Sequence, residues 1–341
     1  MFMIKPKHLQ KGDKIATISL SWGGAGDLLY RYNIAKERIS QLGFEIVEME
    51  HTLKGGKFIY DNPKKRAQDL MNAFKDPTIK AIIACIGGDD STRILPYINF
   101  ETITNNPKIF VGFSDSTTTH FICQQAGITS FYGPSVLTDF GQNVEMFDYT
   151  INWFEKALCQ TEPIGEIANS DVWTSQFLDW FNPDNQTTNR KLEPHNGYEL
   201  LQGTGIARGH LIGGCLESLE NLKGTTLWNR DKWKDAIIFF ETCETKTPPD
   251  LLIHWLRNYA TQGILQNAKG IIWGKPYDNL YYEEYKTIIE KVIKHEEKLD
   301  IPILYNMNFG HTSPIITIPY GVEAEINCEK KTFSILESGV Q

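Results

Sequence analysis

The sequence has no apolar run near the roughly 20 residues that would span a bilayer. Its first residues, MFMIKPKHLQKGDK, lack a continuous apolar stretch and a small-residue cleavage site, so no signal peptide is read there. The six cysteines (Cys85, Cys123, Cys159, Cys215, Cys243 and Cys328) form no CxxC pair, which argues against a disulfide frame or a zinc ribbon. The eight histidines show neither HxH nor HExxH spacing, so no metal site is expected. Together these absences point to a cytoplasmic chain with reduced thiols. Long basic runs are missing too, and 34 Lys and Arg against 42 Asp and Glu leave a net charge of −8. That sign argues against nucleic acid or an anionic membrane as partner. Neither GxGxxG nor a Walker lysine occurs, so the turn Ser21-Trp22-Gly23-Gly24-Ala25-Gly26 is a poor nucleotide cradle. No internal repeat is present.

What remains is a globular composition. Hydrophobic residues make up 41% of 341 positions, enough to bury a sizeable core and to exclude disorder as the main state. The length suggests about two domains. In the first half, strand and helix patterns alternate. KIATISL (14–20), FEIVEM (44–49), KAIIACIGG (80–88) and PKIFVGFSDS (107–116) read as strands. Between and after them, 28–42, 63–75 and TTTHFICQQAG read as helices. Such alternation implies βα units around a mostly parallel, buried sheet. Residues 160–205 are polar and irregular, and are expected to join two domains or to form a functional loop. The second half resumes with ARGHLIGGCLESLENLKGT, the strands 235–244 and 268–276, and helices at 251–263 and 281–298. IPILYNMNFGHTSP and a terminal hairpin in TIPYGVEAEINCEKKTFSIL follow.

The sharpest local feature is Val111-Gly112-Phe113-Ser114-Asp115-Ser116, between an apolar strand and a helix. A nucleophilic serine needs such a turn, with small residues two before and two after it, to expose its hydroxyl. The helix start beyond it offers backbone N–H groups to an oxyanion. Against this stands plain helix capping by Ser114 or Asp115, since both residue types are good N-caps. A nucleophile needs a base and a group that orients the base. His311, in the loop FGHTSP, and Glu241, where IIFF emerges, both sit at strand ends. Glu244 is a competing acid, and residue chemistry does not separate the two. A loop histidine bonded to backbone and a turn carboxylate are the ordinary alternatives. Gly87-Gly88 can bring a backbone N–H close to a substrate oxygen or can be a simple turn. Asp89 and Asp90 suggest a metal, but no third ligand is apparent. Trp173, Phe177, Trp180 and Phe181 crowd the polar loop, either as a stacking wall or as an anchor.

In order along the chain, IGGDDSTRILPYI, VGFSDSTTTH, LIGGCLESL, FFETCE and FGHTSP resemble the serine LD-carboxypeptidase family, over about residues 5–336. WTSQFLDW and LLQGTGIARGHLIGGCLE resemble its microcin C immunity branch more than the shorter murein tetrapeptide carboxypeptidases. The resemblance implies a Rossmann-like N-terminal domain (1–165) bearing the nucleophile. It also implies a linker and substrate-side loop (166–205) and a mixed β-rich α/β C-terminal domain (206–341). It further implies Ser114 as nucleophile, Glu241 as acid and His311 as base, with the backbone N–H groups of Gly88 and Asp115 on the oxyanion. Trp180 and Trp173 would stack on adenine, and Lys246 would meet a phosphate or carboxylate. Expected alongside are a homodimer, no cofactor and a small peptide-nucleotide substrate. The branch cleaves the amide between an aspartyl group and an adenylate or sulfamoyl analogue. A muropeptide substrate is the sister alternative, and a non-catalytic small-molecule binding protein is the alternative of another class.

Overall fold

The computed structural model describes residues 3–341. Among the described residues, sixteen strands run in chain order. The first eight are β1 Lys14–Ile18, β2 Glu45–Glu48, β3 Ile79–Ala84, β4 Ile109–Gly112, β5 Phe131–Tyr132, β6 Gly165–Glu166, β7 Val172–Trp173 and β8 Glu193–Pro194. The others are β9 Glu199–Gln202, β10 Ile206–Cys215, β11 Ala236–Glu241, β12 Gly270–Gly274, β13 Ile303–Met307, β14 Ile318–Pro319, β15 Glu323–Asn327 and β16 Thr332–Ile335.

One sheet has the order β14-β5-β4-β3-β1-β2. All its pairs are parallel except β14 on β5. Its central strands are apolar on both faces because helices cover both sides; Ala81, Ile82, Ile83, Phe110 and Val111 are fully buried. The helix Pro63–Lys75 shows the local logic. Proline stands in its first turn, where its missing N–H costs nothing, and Ala67, Leu70, Met71 and Phe74 form the buried face.

The second sheet is mixed, with order β6-β16-β15-β10-β11-β12-β13-β9. Its core, β10 to β13, is parallel, and both flanks are antiparallel. The expected terminal hairpin is β15–β16, paired Ala324 to Ile335. The two sheets exchange chain. β14 lies late in the sequence yet pairs with β5 of the first sheet, with Ile318 opposite Tyr132. β6 and β9, which flank the polar middle segment, close the two edges of the second sheet. The carboxyl ends of β3, β4, β11 and β13 lead into the Gly87, Ser114, Glu241 and His311 regions, the crevice side of open α/β sheets. No helix among the described residues is long and apolar enough to cross a membrane.

Candidate active site

One residue, Phe113, separates β4 from Ser114, which opens a short 3₁₀ turn before the helix Thr117–Gln125. Its φ is +59°, a left-handed conformation that a non-glycine residue holds only under restraint. The restraint is visible. Thr117 Oγ1 donates to the Ser114 carbonyl at 2.7 Å. The Ser114 N–H donates to the Tyr132 hydroxyl at 2.9 Å. The buried Asp115 carboxylate accepts from Ser21 Oγ at 2.6 Å and from the Ser91 N–H at 2.9 Å. No side chain caps the helix Thr117–Gln125. The capping alternative for Ser114 and Asp115 therefore fails: Asp115 ties the turn to the loop after β3.

The small residues around the turn are required by close approach. A Cβ on Gly112 would lie 2.5 Å from Ser116 Oγ. One on Gly87 would lie 2.9 Å from Ser114 Oγ and 3.2 Å from the Asp115 backbone nitrogen. Gly87 is thus the glycine in contact with the serine, while its neighbour Gly88 faces Ser21 and the Trp22 nitrogen. Beneath the turn, His120 lies between Ser130 Oγ (2.9 Å) and the Gly112 carbonyl (2.8 Å). Burial lowers its pKa to about 3, so it is a neutral structural ring whose N–H supports β4.

The three side chains expected to cooperate meet. His311 Nε2 is 2.9 Å from Ser114 Oγ, and His311 Nδ1 is 2.7 Å from Glu241 Oε2. Glu241 is the last residue of β11 and is fully buried. Ser114 and His311 are 197 residues apart. The chain itself explains how they meet. After β13 it passes through His311 and then joins the first sheet as β14, so the histidine loop bridges the two sheets. The middle segment secures that loop through paired backbone bonds between Thr174 and Ser313 at 2.7 and 2.8 Å.

Glu244 is present as well, with its carboxylate 3.2 Å from His311 Nε2 and 59% of its side chain exposed. The imidazole therefore has a carboxylate on each nitrogen. Burial opposes its protonation, but Glu241, the hydrogen bond from Nδ1 and Glu244 outweigh it and push the His311 pKa up to about 10. Geometry separates the two acids: Glu241 is buried on Nδ1, where an orienting group belongs, and Glu244 is on the nitrogen that faces the serine. Tyr132 is the residue that sequence reasoning missed. Its hydroxyl, besides accepting from Ser114, donates to Glu241 Oε1. Nothing in the spacing of SFYGPS marks it, because β5 is only two residues long.

The expected substrate residues are less uniform. Trp180 is partly buried; the Arg31 guanidinium stacks at 4.3 Å from its ring centre and Phe177 lies 5.7 Å away. Arg31 is itself buried and bonded to Leu137, Asn143 and Gln186, so the loop is anchored through it. Trp173 is buried, with Lys275 Nζ 4.1 Å from its ring centre. Burial holds the Lys275 pKa down at about 8. Lys246 pairs with Asp278 at 2.6 Å. Trp173, Ser175, Gln176, Lys191, Glu193 and Asp278 line a cleft of about 590 Å³; neither Ser114 nor His311 does.

Among the described residues, three sets of side chains bring possible metal ligands within 4.8 Å: Cys215-Glu241-His311, Cys215-Glu217-Cys243 and Glu50-His51-Asp69. In each, the groups already bond one another, as in Cys215 Sγ to Glu217 at 3.1 Å and His51 to Asp69 at 2.8 Å. Asp90 instead takes Arg66 and Arg93 at 2.9 and 3.0 Å, and so is an ion-pair residue.

A two-sheet α/β frame with a serine, a histidine and a buried carboxylate in hydrogen-bonded series has the form of a serine-type hydrolase. Residues 15–133 match the LD-carboxypeptidase N-terminal domain, and 208–326 match the LD-carboxypeptidase C-terminal domain. The chain is 31% identical to "Putative carboxypeptidase YocD" of Bacillus subtilis (strain 168), covering 96% of this chain and 97% of that one. It is 28% identical to the microcin C7 self-immunity protein MccF of Escherichia coli, covering 96% and 94%. A crystal structure of an MccF-like protein from Streptococcus pneumoniae in complex with AMP superposes with a TM-score of 0.87 at 32% identity, covering 95% and 98%. A structure of MccF in complex with glutamyl sulfamoyl guanosine superposes with a TM-score of 0.86 at 25% identity, covering 99% of each chain. This chain belongs to the LD-carboxypeptidase family, with an MccF-like fold.

Proposed function

We propose that this chain is a serine peptidase of the microcin immunity type, cleaving the amide between an acidic aminoacyl group and a nucleotide or sulfamoyl nucleoside. The observation that carries the reading is the continuous contact Ser114 Oγ–His311 Nε2 and His311 Nδ1–Glu241 Oε2. The AMP and glutamyl sulfamoyl guanosine bound by the two structural relatives support the choice of substrate class.

In this mechanism neutral His311 takes the Ser114 proton at Nε2 while Oγ forms a bond to the scissile carbonyl carbon. Glu241 holds Nδ1–H toward itself and stabilises the imidazolium. Backbone N–H groups of Gly88 and Asp115 receive the developing oxyanion, an interaction worth about 3 kcal/mol per donor. The C–N bond breaks as Nε2 returns the proton to the leaving nitrogen. A water then gives its proton to His311 and attacks the acyl-serine ester, releasing the acid and restoring Ser114. Trp180 supplies a ring for the base, and Lys246 offers a cation once released from Asp278. Two copies per particle, a cytoplasmic address and the divisions near 165 and 205 belong to the same reading.

The family's description as LD-carboxypeptidases favours one second reading, removal of a terminal D-residue from a muropeptide by the same three side chains. Purified protein assayed on aspartyl sulfamoyl adenosine and on an L,D-muropeptide separates the two. The expected result is turnover of the sulfamoyl nucleoside, with Ser114→Ala folded and at least about 10³-fold slower. Wild-type turnover by Ser114→Ala removes the mechanism, and turnover of the muropeptide alone replaces the substrate.

A further inference from the structure

We propose that Tyr132 is a positioning residue of the reaction, a single hydroxyl that sets the nucleophile and the acid relative to one another across the two sheets. The inference rests on the serine–histidine–glutamate reading above and deepens it. Tyr132 lies on β5 of the first sheet, and Glu241 ends β11 of the second. Its oxygen accepts the Ser114 N–H at 2.9 Å and donates its own proton to Glu241 Oε1. Each bond meets a need of the group it serves. Ser114 lies two residues beyond the end of β4 with a left-handed φ, and its part-buried N–H takes this hydroxyl as its partner. Glu241 has no solvent contact, so the oxygen that His311 does not use requires a donor. With Oε1 taken by Tyr132, Oε2 is the oxygen left for His311 Nδ1.

The phenol is suited to this one role. Burial, reinforced by the neighbouring Glu241, raises its pKa well above the usual value, so it stays a neutral donor and not a rival base. Its ring is held by Phe239 at 5.5 Å and Phe113 at 6.5 Å between centroids, and His120 lies on another side at 5.7 Å. His120 is neutral. The charged or ionisable groups that face the His311–Glu241 pair are Glu244, Cys243, Cys215 and Tyr320, besides Tyr132, and burial raises the Cys215 thiol and the Tyr320 phenol well above their usual values, so both stay neutral.

The test measures phosphonylation of Ser114 by a fluorophosphonate, in which the Oγ–P bond forms, fluoride leaves and His311 takes the serine proton. This readout does not depend on which natural substrate is correct. Tyr132→Phe keeps the packed ring and removes the hydroxyl. The expected rate loss is roughly 10- to 100-fold. The ascending limb of the pH profile moves to higher pH, because the Glu241 charge is no longer shared and holds the imidazolium more tightly. A 4-aminophenylalanine at 132, which restores an N–H donor toward Glu241, recovers much of the rate and returns the limb. A Tyr132→Phe protein that labels at the wild-type rate with an unmoved limb overturns the inference alone, whatever its Tm. So does an amine variant no better than the phenylalanine. Wild-type protein that fails to label at Ser114 overturns the triad reading itself and the inference with it.

Discussion

Glu244 offers a test whose sign is unusual, since removing a conspicuous active-site carboxylate is expected to raise activity at neutral pH. Its oxygen lies 3.2 Å from His311 Nε2, the nitrogen that must be unprotonated to accept the serine proton. A carboxylate there favours the protonated ring. The His311 pKa is raised to about 10, so at pH 7 the competent neutral form is a minority, and kcat/KM should climb with pH through that region. At 3.2 Å in a water-like medium the attraction is about 1.3 kcal/mol. Because the Glu244 side chain is 59% exposed, screening reduces this to about 0.5–1 kcal/mol. At 1.36 kcal/mol per pH unit, Glu244→Gln then moves the limb down by about half a pH unit. Well below the limb, kcat/KM rises by about 3-fold. The assay is the pH dependence of kcat/KM for wild type and Glu244→Gln on aspartyl sulfamoyl adenosine from pH 6 to 10. Activity that falls at pH 7, or a limb that stays or moves up, refutes the argument. Abolished turnover would instead make Glu244 a member of the relay.

Two further outcomes follow from contacts in the same region. Gly87→Ala places a methyl 2.8 Å from Ser114 Cβ and 2.9 Å from its Oγ, where the left-handed turn cannot yield easily. Calorimetry should show about 1–3 kcal/mol of lost stability, and kcat should fall at least about 10-fold; an unchanged kcat would show that the turn adapts. Trp180→Ala removes the ring stacked on Arg31 at 4.3 Å. A stacked base is worth roughly 1–3 kcal/mol, so KM for an adenosine-bearing substrate should rise roughly 5- to 150-fold with kcat within a few-fold; equal KM values for both proteins would make Trp180 an anchor of the loop only.

Much of the architecture is legible in local pattern. The helix read at 63–75 is found at Pro63–Lys75, the apolar run 235–244 contains β11, and the run 80–88 overlaps β3, which starts one residue earlier and ends at Ala84. These are segments whose period or unbroken apolar character admits one solution. Residues 160–205 are less legible. They are mostly irregular, but Glu199–Gln202 forms an edge strand on β13, and Thr174 pairs with Ser313. A four-residue edge strand carries too little pattern to be read, and its pairing depends on a partner about a hundred residues away. Of the candidate site, Ser114 was marked by its turn, because a strand-to-helix elbow needs small neighbours in sequence. Glu241 and His311 were only two of several polar residues at strand ends, selected by resemblance and not by their own spacing.

The order of residues alone determined the parallel-sheet class, the elbow at 112–116 and the acidic net charge. Those properties depend on neighbours within a few positions, or on sums over the whole chain. Tertiary structure decided which carboxylate meets Nδ1 of His311, which glycine touches the serine, and that Tyr132 joins both ends of the relay. Each of those is a close approach between residues 18 to 109 positions apart. Those that involve Glu241 and His311 span the two sheets, which the chain joins where β14, after the His311 loop, pairs with β5.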